Sequence, residues 1–360
     1  MSILTGIVIS ILSVYLAFTN TLAGYVSTWL PTTTTDGNEL LTKQESGLSL
    51  IPSRFHPSQL TTILRDSNTF QRAVVAEAIT PPPRPLLDPR HAVVNIACTF
   101  TTDTAIKNTT GTGFIVDGSG VILTNAHVAQ YLLLAETNAL GKAACRVKTG
   151  ETDTPHYHAE LLYLPPAWIV ANAALITEAV PMGTGERDYA LLHITKTTDG
   201  SPLPASFPTL PFNAELLPQG TQDNEVFAIG FPAPENITPG SDLSIVAATT
   251  TISELYTFGS NYADVFSIRG SSVGAGGSSG GPVLDQSGNV IGMITTRGDD
   301  DVDGTGSLRA ITISHIHRTI EEETGFPLSR NVRGDIALRA AAFKETVAPF
   351  LLTLLTSELN

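Results

Sequence analysis

The sequence predicts an all-β protein with the architecture of a sandwich or a barrel. Short β-type runs bounded by turn residues follow one another from residue 91 to residue 313, which is typical of such folds. No long helical pattern interrupts them before Ile313. Only 15% of the residues are charged, and the chain holds 30 Gly and 23 Pro, which favours a turn-rich β protein over a helical one.

The composition excludes several classes of protein. A hydrophobic content of 42% excludes a disordered chain. The net charge of −14 argues against nucleic-acid binding, which requires clustered Lys and Arg. Two cysteines are too few for a disulfide-dense scaffold or a four-cysteine zinc site.

Residues 1–30 predict a hydrophobic helix, because residues 3–30 contain no charged side chain. The whole stretch is long enough for a transmembrane anchor, whereas Thr21-Leu22-Ala23 offers the small-x-small site of a secretory signal peptide. The positive n-region of a signal peptide is missing, since the first lysine is Lys43. An uncleaved anchor is therefore favoured over a cleaved signal. Both interpretations place the remainder outside the cytoplasm, either membrane-anchored or secreted.

Residues 31–90 form a predicted Pro/Thr-rich linker. The linker ends near a proline cluster at residues 81–85, which is extended and fits neither helix nor sheet. Within it, the apolar spacing of residues 58–78 predicts a local helix.

A series of short strands follows the linker. The predicted strands are residues 92–100, 113–116, 121–124, 144–149, 158–164, 189–194, 226–231, 244–253, 263–268, 283–284, 290–295 and 307–313. The apolar spacing becomes helical at residues 316–323 and again at 336–355, which predicts a short helical C-terminal tail over residues 321–360.

Three short segments carry the groups of a nucleophilic site: His127 after a strand, Asp188 at the start of a strand and Ser279 within a glycine run. Each alone has an ordinary explanation as a packed histidine, a turn cap or a flexible loop. Together they complement one another, because a serine hydroxyl needs a base, imidazole is that base near neutral pH, and a carboxylate orients the imidazole. Glycines beside the serine let backbone N–H groups converge on an oxyanion.

These segments resemble the signature segments of trypsin-like serine proteases, and most closely those of the bacterial HtrA/Deg branch. The matching runs are Thr124-Asn125-Ala126-His127-Val128, Asp188-Tyr189-Ala190-Leu191-Leu192 and Gly277-Ser278-Ser279-Gly280-Gly281-Pro282. The runs at 111–117 and 288–292 are also similar to that branch. The resemblance covers about residues 92–320. It implies two six-stranded antiparallel Greek-key β-barrels, expected at residues 91–200 and 201–320, with a cleft between them.

The resemblance also implies a role for each matching residue. Ser279 would be the nucleophile, His127 the general base and acid, and Asp188 the group that orients His127. The N–H groups of Gly277 and Ser279 would form the oxyanion hole.

Further residues are assigned to the substrate cleft by the same resemblance. Thr295 would support the catalytic aspartate, and Thr296 and Arg297 would pair with the substrate backbone. Val273 would form the floor of the specificity pocket, which implies an apolar pocket for small or medium aliphatic side chains. The mechanism requires no cofactor and no metal.

The family's first and fourth strands are neighbours, and Cys98 and Cys145 lie on the matching predicted strands. A disulfide between them is one interpretation, and two buried free thiols are the other.

Some features depart from the family or have two explanations. The acidic run at residues 297–304 is interpreted as a solvated turn, with attraction of basic substrates or calcium binding as the alternative. The pairs His156/His158 and His315/His317 lack a further ligand at metal spacing, so ordinary histidines are favoured over zinc. Residues 165–186 resemble an insertion, for which a packed surface excursion is favoured over a lid.

The sequence does not support two regulatory features of the family, a PDZ domain and activation by a freed N-terminus. Residues 321–360 are too few for the PDZ domain of many HtrA/Deg proteases, so none is expected. No processing motif that would free a new N-terminus precedes His91.

Three other functions explain the sequence less well. An α/β-hydrolase requires the order Ser, acid, His and an alternating βα pattern. Only His315 and His317 follow Ser279, the acids between them lie mostly in one short turn, and the alternating βα pattern is missing. A catalytically silent binding module on a protease fold would have lost one of the three catalytic residues, and none of them is lost here. A membrane-tethered structural protein leaves the His and Asp segments unexplained. We therefore expect a serine endopeptidase that acts on protein or peptide substrates through an acyl-enzyme. The oligomeric state is left open.

Overall fold

The computed structural model describes residues 63–76, 86–101, 106–135, 142–150, 154–178, 184–218, 220–234, 241–259 and 261–359. The predicted N-terminal hydrophobic helix, most of the predicted linker and its proline cluster lie outside these residues. Among the helices that the structure describes, none is long and apolar enough to cross a membrane.

The first half of the folded region is a closed antiparallel barrel. Its strands are β1 (Val93–Thr101), β2 (Ile106–Asp117), β3 (Val121–Thr124), β4 (Lys142–Thr149), β5 (Tyr157–Tyr163) and β6 (Ala190–Thr197). They are hydrogen-bonded in the order β1-β2-β3-β6-β5-β4. The turn from β2 to β3 follows from its residues, because Gly120 has a φ of +94° and Asp117 accepts a hydrogen bond from the Ser119 N–H at 2.9 Å.

The second half repeats this architecture. Its strands are β7 (Glu225–Gly230), β8 (Val246–Tyr256), β9 (Val265–Ile268), β10 (Pro282–Leu284), β11 (Val290–Arg297) and β12 (Leu308–Thr312), closed in the order β10-β11-β12-β9-β8-β7. The predicted all-β fold of two six-stranded antiparallel barrels is therefore confirmed.

Helices flank the barrels, as predicted for the C-terminal tail. They are α1 (Ile63–Asp66), α2 (Asn68–Val75), α3 (Ala126–Ala135), α4 (Pro166–Asn172), α5 (Asp300–Asp303), α6 (Ile313–Thr324), α7 (Leu328–Asn331), α8 (Ile336–Thr346) and α9 (Ala348–Leu359), with 3-10 segments at Pro89–Ala92 and Ala173–Thr177. Helix α8 packs on α2 and β5, and α9 packs on α3, α4 and Ala173–Thr177. The C-terminal helices therefore cover the first barrel.

The prediction that no long helical segment interrupts the strands before Ile313 was wrong. Helix α3 begins directly after β3, and all its residues from Ala126 to Leu134 are buried. A helix that is apolar on all sides carries no periodic contrast between a core face and a solvent face, so its pattern could not be distinguished from that of a strand.

The two cysteines lie opposite each other in the first barrel. The register of β1 and β4 pairs Cys98 directly with Cys145, and the two residues form a disulfide. This bond links strands that are separated by 47 positions in the sequence.

Candidate active site

His127 lies in the first turn of α3, where the chain leaves β3 through Asn125. The sequence predicted that His127 follows a strand, and in the structure that strand leads directly into a helix. The His127 N–H donates to Asp188 Oδ1 at 3.0 Å, and Asn125 Nδ2 donates to the Asp188 carbonyl at 2.8 Å. The segment that carries the histidine is therefore attached to the segment that carries the acid through the backbone of each.

Asp188 lies just before β6 and is only 1% exposed. Its Oδ2 is 2.7 Å from His127 Nδ1 and accepts the Thr295 hydroxyl, also at 2.7 Å. Because a carboxylate only accepts hydrogen bonds, His127 carries its proton on Nδ1 and leaves Nε2 as the basic nitrogen. His127 is 7% exposed, so the pair is largely shielded from water.

Ser279 lies in the glycine-rich loop that leads into β10 and is half-buried. Its hydroxyl donates to the Thr295 carbonyl at 3.5 Å. Thr295 therefore contacts the acid with its side chain and the serine with its backbone. The strand β11 brings these two groups from different barrels to one place.

In the loop before Ser279, hydrogen bonds to two carbonyl groups set the orientation of two backbone N–H groups. The Gly276 carbonyl accepts the Ala233 N–H at 2.6 Å, and the Ser278 carbonyl accepts the Gly281 N–H at 2.9 Å. In a trans peptide the N–H points opposite to the carbonyl, so the N–H groups of Gly277 and Ser279 point away from these partners.

These two N–H groups remain available to a ligand. Within the described part of the chain, neither of them has a hydrogen-bond acceptor. Gly277 has a φ of +94°, a conformation that residues with a side chain rarely adopt. The arrangement can donate two hydrogen bonds to an oxyanion.

The residues assigned to the substrate cleft have different surroundings. Val273 is fully buried in the apolar core of the second barrel, and its carbonyl accepts the Ser278 hydroxyl at 2.6 Å. Thr295 is 2% exposed. The next two residues on β11 are more accessible, since Thr296 is half-buried and Arg297 is exposed.

The acidic run forms the short helix α5, which Asp299 caps by accepting the Asp301 N–H at 3.1 Å. Asp300 Oδ1 accepts the N–H of Gly306 at 3.1 Å and the hydroxyl of Ser307 at 3.0 Å. The carboxylate of Asp300 is thus used within the loop. Of the described residues, no group of three or more His, Cys, Asp or Glu could hold a metal ion.

Three of the histidines from these pairs each contact a separate acid. His156 Nε2 is 3.4 Å from Asp242, and His315 Nδ1 is 3.2 Å from Asp264. His317 Nε2 is 3.8 Å from Glu321.

The described part of the insertion is packed rather than open. Trp168 of α4 is 1% exposed, and the insertion contacts α9 through α4 and Ala173–Thr177. This arrangement agrees with a surface excursion that is covered by the C-terminal helices.

Several residues of the site carry no signal of their own role in the sequence. Asn125 anchors the acid, the Ser278 side chain ties the serine loop to Val273, and Thr112 contacts the same loop from β2. Asn125 and Ser278 lie inside the motifs that identified His127 and Ser279. Thr112 lies in the Gly-Thr-Gly run of the resemblance, which was the available clue to its role.

The chain is similar to known peptidases. A family model described as a trypsin-like peptidase domain matches residues 111–293. Among solved structures, the crystal structure of the active form of the Rv3671c protease from M. tuberculosis matches with 20% sequence identity and a TM-score of 0.41, covering 69% of this chain and 92% of that chain. No curated protein sequence matches the chain.

Proposed function

Because the chain belongs to the family of trypsin-like peptidase domains, we propose that it is a serine endopeptidase with the triad His127, Asp188 and Ser279. One observation carries the proposal: the buried Asp188 carboxylate holds His127 at 2.7 Å, while Thr295 connects that carboxylate to Ser279. Nucleophilic catalysis by serine requires a base that is oriented by a buried acid, and the His127–Asp188 pair supplies such a base.

The proposed reaction has two halves. The Ser279 Oγ attacks the carbonyl carbon of the scissile peptide bond, and its proton passes to His127 Nε2. The N–H groups of Gly277 and Ser279 donate to the resulting oxyanion. The tetrahedral intermediate then collapses to an acyl-enzyme, and the proton held by His127 is transferred to the leaving amine. A water molecule, deprotonated by His127, hydrolyses the ester and restores Ser279.

Asp188 contributes by stabilising the charged form of His127. The three hydrogen bonds to its carboxylate come from the His127 N–H, the His127 ring and the Thr295 hydroxyl. They hold the carboxylate beside the His127 ring, where it can stabilise the imidazolium that forms during the reaction. We propose that Thr296 and Arg297, the more accessible residues of this strand, pair with the substrate backbone next to this site.

We also propose that the peptidase acts outside the cytoplasm. The Cys98–Cys145 disulfide supports this location, because disulfides persist mainly in oxidising compartments. The uncharged run at residues 3–30 supports an anchor or an export signal.

Labelling with a fluorophosphonate probe tests the nucleophile. The full-length protein should be labelled, and Ser279→Ala should lose both labelling and cleavage of an unfolded protein substrate such as casein. Ser287→Ala is the matched control, since Ser287 lies in an exposed glycine-containing turn and should be labelled like the wild type. Equal labelling of Ser279→Ala and the wild type would contradict the assignment. An unlabelled wild type would favour a catalytically silent module.

A further inference from the structure

Four consecutive carbonyl groups of the serine loop are each held by a hydrogen bond. The donors to the carbonyls of Gly276, Gly277, Ser278 and Ser279 are, in order, the Ala233 N–H at 2.6 Å, the Thr112 hydroxyl at 2.7 Å, the Gly281 N–H at 2.9 Å and the Thr112 N–H at 2.7 Å. The orientation of every peptide plane in this segment therefore depends on a partner. Thr112 supplies two of the four donors, and its hydroxyl is the only side chain among them.

The Thr112 hydroxyl uses both its donor and its acceptor capacity. It donates to the Gly277 carbonyl and accepts the Phe231 N–H at 3.0 Å. Thr112 is 0% exposed, so water cannot replace either bond. If the hydroxyl were removed, a buried carbonyl and a buried N–H would both lose their partner, which is costly.

Thr112 also connects the serine loop to the segment that carries His127. Its own carbonyl accepts the Thr124 hydroxyl at 2.7 Å, and Thr124 ends the strand that leads to His127. Gly280 approaches this point so closely that an added Cβ would lie 1.9 Å from the Thr112 carbonyl oxygen. Thr112 on β2 of the first barrel thus touches both halves of the candidate site.

We propose that Thr112 is a positioning residue that holds the N–H groups of Gly277 and Ser279 in the orientation that binds the oxyanion. This inference rests on the proposed serine peptidase function. The Gly277 carbonyl belongs to the peptide that lies between the two donor peptides. Because Thr112 anchors this central peptide, it also restrains the two neighbouring peptides that carry the donor N–H groups.

The proposal predicts a defect in the transition state rather than in substrate binding. The two N–H groups act on charge that develops only as the tetrahedral intermediate forms. Loss of one oxyanion donor costs about 100- to 1,000-fold in kcat in serine proteases. Loss of a residue that only orients the donors should cost less, roughly 10- to 100-fold, because the backbone still visits the productive orientation part of the time.

The experiment compares Thr112→Val with Thr112→Ser in the full-length protein. Valine has nearly the shape of threonine but cannot donate or accept, whereas serine keeps the hydroxyl. With a chromogenic peptide substrate, Thr112→Val should lower kcat by roughly 10- to 100-fold with KM changed by less than about 3-fold, and Thr112→Ser should stay within about 3-fold of wild-type kcat. Thr109→Val, a half-buried position on the same strand, is the matched control and should leave kcat unchanged.

Two results would overturn the proposal. One is a Thr112→Val variant with wild-type kcat, and the other is a Thr112→Ser variant as impaired as Thr112→Val. If Thr112→Val does not fold, as judged by its thermal unfolding transition, Thr112→Ala is measured by the same criteria. Failure of the proposed function is visible separately, because a wild type that neither cleaves the peptide nor reacts with the fluorophosphonate would contradict that function whatever Thr112 does.

Discussion

Arg187, the residue directly before Asp188, forms an ion pair with Glu323 of α6 in which its Nη1 lies 2.7 Å from Glu323 Oε1. The side chain of Glu323 is 2% exposed, and its other oxygen accepts the Tyr163 hydroxyl at 2.5 Å. Arg187 has a φ of +56°, a left-handed conformation that is unfavourable for a residue with a side chain. The ion pair therefore fixes a strained residue next to the acid of the candidate site.

Arg187→Met should destabilise the protein strongly, because it leaves the Glu323 carboxylate buried without its cation. Removing one partner of a buried pair typically costs about 3–5 kcal/mol. Burial raises the pKa of Glu323 in spite of Tyr163 and Arg187, so desolvation outweighs the hydrogen bonds that its charged form receives. Urea unfolding would measure the loss.

Glu323→Gln is the companion variant and should cost less, since Arg187 keeps Glu322 at 3.0 Å. In the double variant, a neutral glutamine faces an apolar methionine, so the loss should be smaller than the sum of the single losses. Purely additive losses would contradict the ion pair.

Replacing both cysteines by alanine should lower the free energy of unfolding. The bond closes a loop with a sequence separation of 47, and releasing such a loop gives the unfolded chain more conformational freedom. We expect a loss of about 3 kcal/mol, measured by urea unfolding. Alkylation of the denatured, unreduced wild type followed by mass measurement checks the bond itself. Modification of both thiols before reduction would show that no bond exists.

Leu355→Ala in α9 should destabilise the fold by about 3 kcal/mol, which is typical of a leucine truncated in a core. Leu355 is 0% exposed, and its helix packs on α3, the helix that carries His127. Leu338→Ala in α8 is the matched control, because Leu338 is 39% exposed. Thermal unfolding of both variants would compare them, and equal effects would mean that α9 does not contribute to the core.

Stability should fall as the pH is lowered below about 6.5, with His315 as one cause. Burial lowers the pKa of His315 below its ordinary value of 6.5, although Asp264 opposes this shift. Between the lowered folded-state pKa and 6.5, the unfolded chain binds more protons than the folded protein does, so the free energy of unfolding decreases as the pH falls.

His315→Gln cannot titrate and should make this decrease smaller in urea unfolding measured from pH 5 to pH 8. His158→Gln, on β5 and only partly buried, is the control and should follow the wild type. An unchanged pH dependence in His315→Gln would show that another group is responsible.

Local sequence patterns located the strands and singled out the residues of the candidate site. The strand β3 is found at Val121–Thr124, where a short apolar run after a glycine-rich turn predicted it. The motifs singled out His127 and Asp188, and the two side chains are 2.7 Å apart. Helix α3 was missed because its residues are buried on every side, which removes the periodicity that distinguishes a helix.

The sequence by itself determined which runs form strands and which residues carry the hydroxyl, imidazole and carboxylate, because these depend on residue type and on local alternation. Only the tertiary structure decided that Thr112 anchors the serine loop and that Arg187 pairs with Glu323. These partners lie 165 and 136 positions apart in the sequence. Their proximity follows from barrel closure and from the packing of one barrel and its helices against the other, which no local periodicity encodes.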